Sequence, residues 1–209
     1  MSISLCMIVK DEGKRLDSFL KKIKPYADEI IIVDTGSSDA TKVIALAHTP
    51  FVSDFKWVDD FSAARNFSIS KAKCDWVLWL DPDEEISSED LKKMKELCED
   101  KKNLGYRFIQ ETIINGKKYV QGICKLFQNH KGIKFIYPVH ESVMPSIKEQ
   151  GGTIGKTGIV IKHKSFYDLK KVKSYMRLIE KKAKKWPESS ADKEIEFMRE
   201  VSETFLNTP

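Results

Sequence analysis

The densest chemistry in the chain lies in Trp76-Val77-Leu78-Trp79-Leu80-Asp81-Pro82-Asp83-Glu84-Glu85, an apolar run that stops in an Asp-x-Asp and two glutamates. Carboxylates packed this closely repel one another unless water or a cation offsets the repulsion. A strand ending there would deliver them rigidly to one spot, which suits a hard divalent cation with oxygen ligands. Magnesium or manganese held by one or two carboxylates keeps positions open for phosphate oxygens. The same residues also read as a solvated acidic turn before a helix, since Ser87 can act as an N-cap with Asp90 three residues on. An Asp-x-Asp alone does not decide between the two.

The elements that must carry these residues follow from hydrophobic spacing. Ile3 to Val9, Glu29 to Asp34, Trp76 to Leu80 and, more weakly, Phe51 to Trp57 read as strands. Between them lie three helical patterns. Leu16, Phe19, Leu20 and Ile23 stop at Pro25; Val43, Ile44 and Ala47 follow the turn Gly36-Ser37-Ser38-Asp39; Phe61 to Ala72 is rich in small residues. This alternation predicts an α/β fold, a mostly parallel sheet with helices on both faces. Ligands of such sheets gather at the carboxyl ends of the strands. Those ends carry Lys10-Asp11-Glu12, Asp34-Thr35-Gly36-Ser37, Asp59-Asp60 and Asp81-Pro82-Asp83.

The pattern changes after a helix expected from Ser88 to Lys101. Gly105 to Ile114 and Lys118 to Phe127 form a hairpin pattern around Asn115-Gly116, a strong turn pair. Phe135 to Val139 and Ile159 to Ile161 read as short strands, and Leu169 to Lys185 and Asp192 to Leu206 as two helices around Pro187. Val172, Tyr175, Met176, Ile179 and Ala183 recur at helical spacing, so that face should dock on the domain or on a second copy of the chain, as in a homodimer. The opposite face holds Lys170, Lys171, Lys173, Lys181, Lys182, Lys184 and Lys185 and reads as solvated, with at most peripheral membrane contact.

Composition narrows the classes. At 209 residues, 41% hydrophobic and 32% charged, the chain is long enough for one packed domain and is not a disordered polyelectrolyte. Its apolar runs are too short to span a bilayer. Met1-Ser2-Ile3-Ser4-Leu5 runs straight into a strand without a basic stretch, so no secretory leader is expected there. Cys6, Cys74, Cys98 and Cys124 are far apart and read as reduced thiols of a cytoplasmic protein, with no zinc spacing. The net charge of +5 is unevenly spread: acidic residues dominate 75–100 and lysines dominate 156–185. No nucleic-acid partner is expected.

The order of motifs resembles the family 2 glycosyltransferases with the GT-A nucleotide-diphospho-sugar-binding fold. The likeness is to a subgroup opening with Ser-Leu-Cys-Met-Ile-Val-Lys-Asn-Glu, here Ser4 to Glu12 with Asp11 in place of Asn. Asp28 to Ser37, Trp57 to Asn66 and Asp75 to Glu84 match its Val-Asp-Thr-Gly-Ser, Asp-Asp-Phe-Ser-x-Ala-Arg-Asn and Leu-Asp-x-Asp-Glu segments. Lys125-Leu126-Phe127-Gln128-Asn129 resembles its Arg-Leu-Phe-Arg-Asn, Val139-His140-Glu141 its Ile/Val-His-Glu, and Ile161-Lys162-His163 a later Ile-x-His-x-Gly-Tyr, from which Ser165 and Phe166 depart. The resemblance implies a GT-A domain over 1–166 and a short C-terminal helical extension over 167–209.

It also implies roles. A nucleotide-diphospho-sugar donor, UDP-linked by family habit, would lie against Val9, Glu12, Asp34, Arg65, Asp81 and Pro82, with Glu12 near the ribose. Asp34 is placed to accept from a base N–H, or else to build an Asx turn. Arg65 matches a diphosphate bidentately, or else pairs with Asp59 or Asp60. Asp83 and His163 would hold Mn2+ or Mg2+, with Glu84 a further ligand. Glu141 is the candidate general base, with His140 as its alternative or its orienting partner. His48 and His130 read as surface. The resemblance implies sugar transfer with inversion to an acceptor that is a saccharide, a lipid or a protein. Two rivals are a sugar nucleotidyltransferase, for which Lys10-Asp11-Glu12-Gly13 is too acidic, and a non-catalytic nucleotide-sugar-binding scaffold.

Overall fold

A computed structural model describes residues 1–114, 117–164, 169–187 and 191–206. Its strands are β1 (Ile3–Val9), β2 (Glu29–Asp34), β3 (Val52–Asp54), β4 (Trp76–Trp79), β5 (Glu84–Ile86), β6 (Gly105–Ile114), β7 (Lys117–Gln128) and β8 (Ile154–His163). The helices are α1 (Leu16–Ile23), α2 (Thr41–His48), α3 (Phe61–Ile69), α4 (Ser88–Leu97), α5 (Met144–Glu149), α6 (Leu169–Lys185) and α7 (Ala191–Leu206). All eight strands form one sheet in the order β3-β2-β1-β4-β7-β6-β8-β5. The β3-β2-β1-β4 pairings are parallel, as is β6 with β8, while β4–β7, β6–β7 and β5–β8 are antiparallel. The sheet is thus parallel where strand and helix alternate and mixed beyond β4.

The period-2 alternation of β1 assigns the two faces. Ile3, Leu5, Met7 and Val9 pack with Leu16, Phe19, Leu20 and Ile23 of α1 and with Leu91 and Met94 of α4. Cys6, Val77, Trp79 and Phe127 point the other way, against Ile69 of α3 and Ile147 of α5. A third cluster joins the tail to the body: Val172, Leu178 and Ile179 of α6 and Met198 and Val201 of α7 enclose Ile114 and Val139, with Phe61 and Tyr119 at its margin. The apolar face of α6 therefore docks on its own chain.

Several sequence expectations need correction. Segment 135–139 is not a strand. Positive φ at Tyr137 (79°) and His140 (49°) folds it into a loop closed by one bridge, Ile136 to Ser142. The strand read at Ile159 to Ile161 is the buried core of the ten-residue β8, whose first half contains Gly155 and Gly158. Lys182 is buried rather than solvated, donating to Glu194 at 2.6 Å. His48 is not a surface residue but lies 2.9 Å from Asp17, tying α2 to α1. The Asn115-Gly116 turn, Ser165 and Phe166, and the side chains of Lys170 and Lys171 lie outside the described residues.

Candidate active site

Four parallel strands end on one edge, and the site begins there. Val9 closes β1, and its carbonyl accepts from the backbone N–H (2.9 Å) and hydroxyl (3.1 Å) of Thr35. Asp34 closes β2 directly beside Val9. Its Oδ1 accepts from the N–H groups of Gly36 and Ser37, both at 2.7 Å. Gly36, at φ 107°, supplies the left-handed conformation that this turn requires. The Asp34 Oδ2 atom is buried and has no hydrogen-bond partner among the described residues. The two readings of Asp34 thus coexist: one oxygen builds the Asx turn, and the other faces inward unengaged. Glu12 is anchored beside it, its N–H donating to Thr41 Oγ1 at 2.7 Å and its carboxylate 3.2 Å from Arg15 Nε. Asp11 accepts from Ser38 N–H and Asp39 from Gly13 N–H, which laces the loops after β1 and β2 together.

Asp83 meets its partner through a strand absent from the sequence reading. Glu84-Glu85-Ile86 pairs antiparallel with β8, setting Glu84 opposite His163. His163 Nε2 then lies 3.3 Å from Asp83 Oδ2, while its Nδ1 lies 3.3 Å from the hydroxyl of buried Thr112. Such a partner on the second nitrogen fixes the ring orientation. Asp83 Oδ1 is buried without a hydrogen-bond partner among the described residues. No group of three or more His, Cys, Asp or Glu among the described residues is arranged to hold a metal ion. One carboxylate and one imidazole do fit a cation whose remaining positions come from phosphate oxygens. Pro82 is buried between Asp81 and Asp83.

Asp81 and Glu84 belong to a buried ion lattice. Arg65, 4% exposed, donates through Nη2 to both oxygens of Asp81 (3.0 and 2.8 Å) and through Nε to Glu141 at 2.8 Å. It pairs with neither Asp59 nor Asp60, because Asp60 caps α3 and Asp59 pairs with Arg177. Arg65 Nη1 remains without a partner among the described residues. Glu84 is not free for a metal. Its carboxylate accepts from Lys125 Nζ (2.7 and 2.9 Å), Gln110 Nε2 (2.7 Å) and the N–H of Asp81 (3.0 Å). The ring of Trp79 has the Lys125 ammonium at 3.5 Å and the Arg65 guanidinium at 4.2 Å from its centroid. Burial pushes the Asp81 carboxyl up, but the charges of Arg65 and Lys125 outweigh it and hold it below the usual carboxylate range.

His140 and Glu141 stand at the tip of the 136–142 loop. Glu141 reaches inward to Arg65. His140 turns to the tail, its Nδ1 3.1 Å from Glu194 Oε2. Pro138 accepts from the N–H of Phe61, and Asn66 holds both backbone groups of Phe135, so α3 fixes this loop as it fixes Arg65. Sequence reasoning met Lys125 only as the start of a motif and gave it no role, and it missed Gln110, Thr112 and Glu194. Only Lys125 carried a signal, as a charged residue inside an otherwise apolar strand segment.

A sequence model described as "Glycosyl transferase family 2" matches residues 4–173. The "TPR repeat-containing protein Synpcc7942_0270" of Synechococcus elongatus is 38% identical over 145 residues, covering 69% of this chain and 36% of its own length. "Glycosyltransferase SunS" of Bacillus phage SPbeta is 34% identical over 99 residues, 46% of this chain and 24% of its own. The chain thus spans about a third or less of these curated relatives. Among solved structures, S. aureus TarS 1-349 in complex with UDP-GlcNAc superposes with a TM-score of 0.64 at 15% identity, covering 99% of this chain and 72% of that one. Glucosyl-3-phosphoglycerate synthase from Mycobacterium tuberculosis, in complex with Mn2+, UDP and glucosyl-3-phosphoglycerate, gives 0.63 at 13% identity, covering 88% and 79%. These two likenesses establish the GT-A fold. With the family model spanning most of its length, the chain belongs to glycosyl transferase family 2.

Proposed function

We propose that the chain transfers a sugar from a nucleotide-diphospho-sugar, UDP-linked, to an acceptor hydroxyl, with inversion and with a divalent cation. The observation that carries this reading is a set of three buried polar atoms without partners among the described residues: Asp34 Oδ2, Arg65 Nη1 and Asp83 Oδ1. Burying such groups unsatisfied is costly, so they call for a ligand with matching chemistry. An acceptor, a donor and a second acceptor match a base N–H, a phosphate oxygen and a cation. The complexes of TarS with UDP-GlcNAc and of the mycobacterial synthase with Mn2+ and UDP support the same ligand class.

Val9, Glu12 and Asp34 would receive the nucleoside, with Arg65, Asp81 and Pro82 beside the diphosphate. Asp83 and His163 would hold Mn2+ or Mg2+, which when bound neutralises charge on the leaving diphosphate. His140 and Glu141 flank the reacting side and supply the group that takes the acceptor proton. Residues 1–166 would form the catalytic domain and 167–209 an extension docked on it. No described helix is long and apolar enough to cross a membrane, and a cytoplasmic site of action fits this reading.

Calorimetric titration with UDP, with and without Mn2+, tests it. Wild type should bind UDP with Mn2+ dependence. Asp83→Ala should weaken that binding by at least ~10–100-fold, the range typical of even outer-shell metal partners, with little change in Tm. UDP affinity indifferent to both Mn2+ and Asp83→Ala would reject the metal-assisted donor site.

A further inference from the structure

We propose that His140 and Glu194 form an imidazole–carboxylate dyad in which His140 Nε2 is the general base, so that the C-terminal helical hairpin completes the active site. The inference rests on the transferase reading above and names the base that reading leaves open.

Three observations select His140 over its neighbour. Glu141 has Oε1 committed to Arg65 Nε at 2.8 Å, and its side chain is 11% exposed. The His140 side chain is 36% exposed, and its Nε2 has no hydrogen-bond partner among the described residues. Its Nδ1 lies 3.1 Å from Glu194 Oε2, while Glu194 Oε1 accepts from buried Lys182 at 2.6 Å. Burial pushes the Glu194 carboxyl up, but its hydrogen bonds to His140 and Lys182 hold it down at about 2. The charge of an ionised Glu194, 3.1 Å from Nδ1, favours the Nδ1–H tautomer and leaves the lone pair on Nε2, as an orienting carboxylate does in hydrolytic triads.

The surroundings hold the ring in place. Val139 is fully buried among α6 and α7. Tyr137 packs edge-on against Trp186, with the Lys182 ammonium 4.6 Å from its ring centroid. Positive φ at Tyr137 and His140 is the kind of local strain that a surrounding structure must over-determine. In the proposed step the acceptor oxygen bonds to the anomeric carbon as the bond from that carbon to the diphosphate oxygen breaks. The acceptor proton passes to His140 Nε2, and the electron pair leaves with the nucleoside diphosphate. Glu194 is a positioning residue and touches no substrate.

The test uses the whole chain. Long-range 1H–15N spectra of its four histidines should show His140 as the Nδ1–H tautomer, and Glu194→Gln should abolish that preference. Hydrolysis of UDP-GlcNAc and UDP-glucose with Mn2+ is then followed for both variants. His140→Ala should lower kcat by on the order of a hundredfold or more with KM little changed, and added imidazole should restore part of it. Glu194→Gln should lower kcat less and should not respond to imidazole. Melting curves and Mn2+-dependent UDP binding show that each variant is folded. A wild-type Nε2–H tautomer, or near wild-type turnover in folded His140→Ala, overturns the dyad. Absence of Mn2+-dependent UDP binding in the wild type defeats the donor reading instead, and the tautomer still reports on the dyad.

Discussion

The two sides of the site are built by opposite means. On the side of β1 and β2, each candidate side chain sits at a strand end and is braced by neighbours in the same or the adjoining loop, as Asp34 is by Gly36 and Ser37. On the side of Glu84, Lys125, Glu141 and His163, each is held by a residue far away in sequence, such as Arg65 with Glu141 or Glu84 with Lys125. The first side leaves the buried Asp34 Oδ2 unengaged; the second pairs its charges across the sheet and leaves only Arg65 Nη1 and Asp83 Oδ1 without partners among the described residues. Substitution should therefore alter binding at the atoms left unengaged and folding at the ion pairs of the second side.

The strongest test of this contrast is Lys125→Met. It leaves Glu84 buried without its cation, which costs about 3–5 kcal/mol, and Tm should fall sharply. An unchanged Tm would mean that the lattice is not a structural element. Next comes acid. Glu194 is held at about 2 against an ordinary 4.5, so its stabilisation is full above pH 4.5 and is lost as pH falls towards 2. That contribution is about 3 kcal/mol before solvent screening of the partly exposed carboxylate reduces it. Emission from Trp186, beside Tyr137, should report the tail loosening before far-UV dichroism reports loss of the sheet; coincident transitions would make tail and body one cooperative unit.

Asp34→Ala should behave in the opposite way to Lys125→Met. Loss of a charged hydrogen-bond acceptor is worth about 1.5–3 kcal/mol, so UDP affinity should drop roughly tenfold or more, while Tm should fall less than in Lys125→Met because only the turn bonds from Gly36 and Ser37 are lost. Equal affinity in calorimetry would remove Asp34 from the donor site. The smallest effect is expected on vesicles. Lys173, Lys184 and Lys185 are exposed, and each basic residue near an anionic surface adds about 1 kcal/mol before screening. Co-sedimentation should be weak at low salt and absent at physiological salt; persistence would make a membrane lipid the acceptor to examine.

The same contrast explains what the sequence could reveal. Strands buried on both faces and their polar ends write themselves as apolar runs stopped by Asp, so β1, β2, β4 and the residues after them were legible. Ser87 was legible as a cap, and its hydroxyl does accept from Asp90 N–H at 3.0 Å. β5 was not, because two of its three residues are glutamates, which are depleted in strands. Phe135 to Val139 carries strand-like side chains but turns at Tyr137 and His140, a choice made by α3 and the tail rather than by local propensity. Arg65 showed its chemistry but not its partners, since Asp81 and Glu141 reach it only through the finished sheet.

The pairing of β5 with β8 has a consequence in time. The Asp83–His163 contact requires two segments about eighty residues apart in the chain. A ribosome adding roughly 5–20 residues per second exposes the carboxylate on the order of ten seconds before it has made the imidazole. During that interval β1, β2 and β4 can already assemble, and Asp34 can already close its turn. The cation site proposed on Asp83 and His163 is incomplete in the nascent chain until β8 lies between β6 and β5, so capture of that ligand would signal a completed sheet.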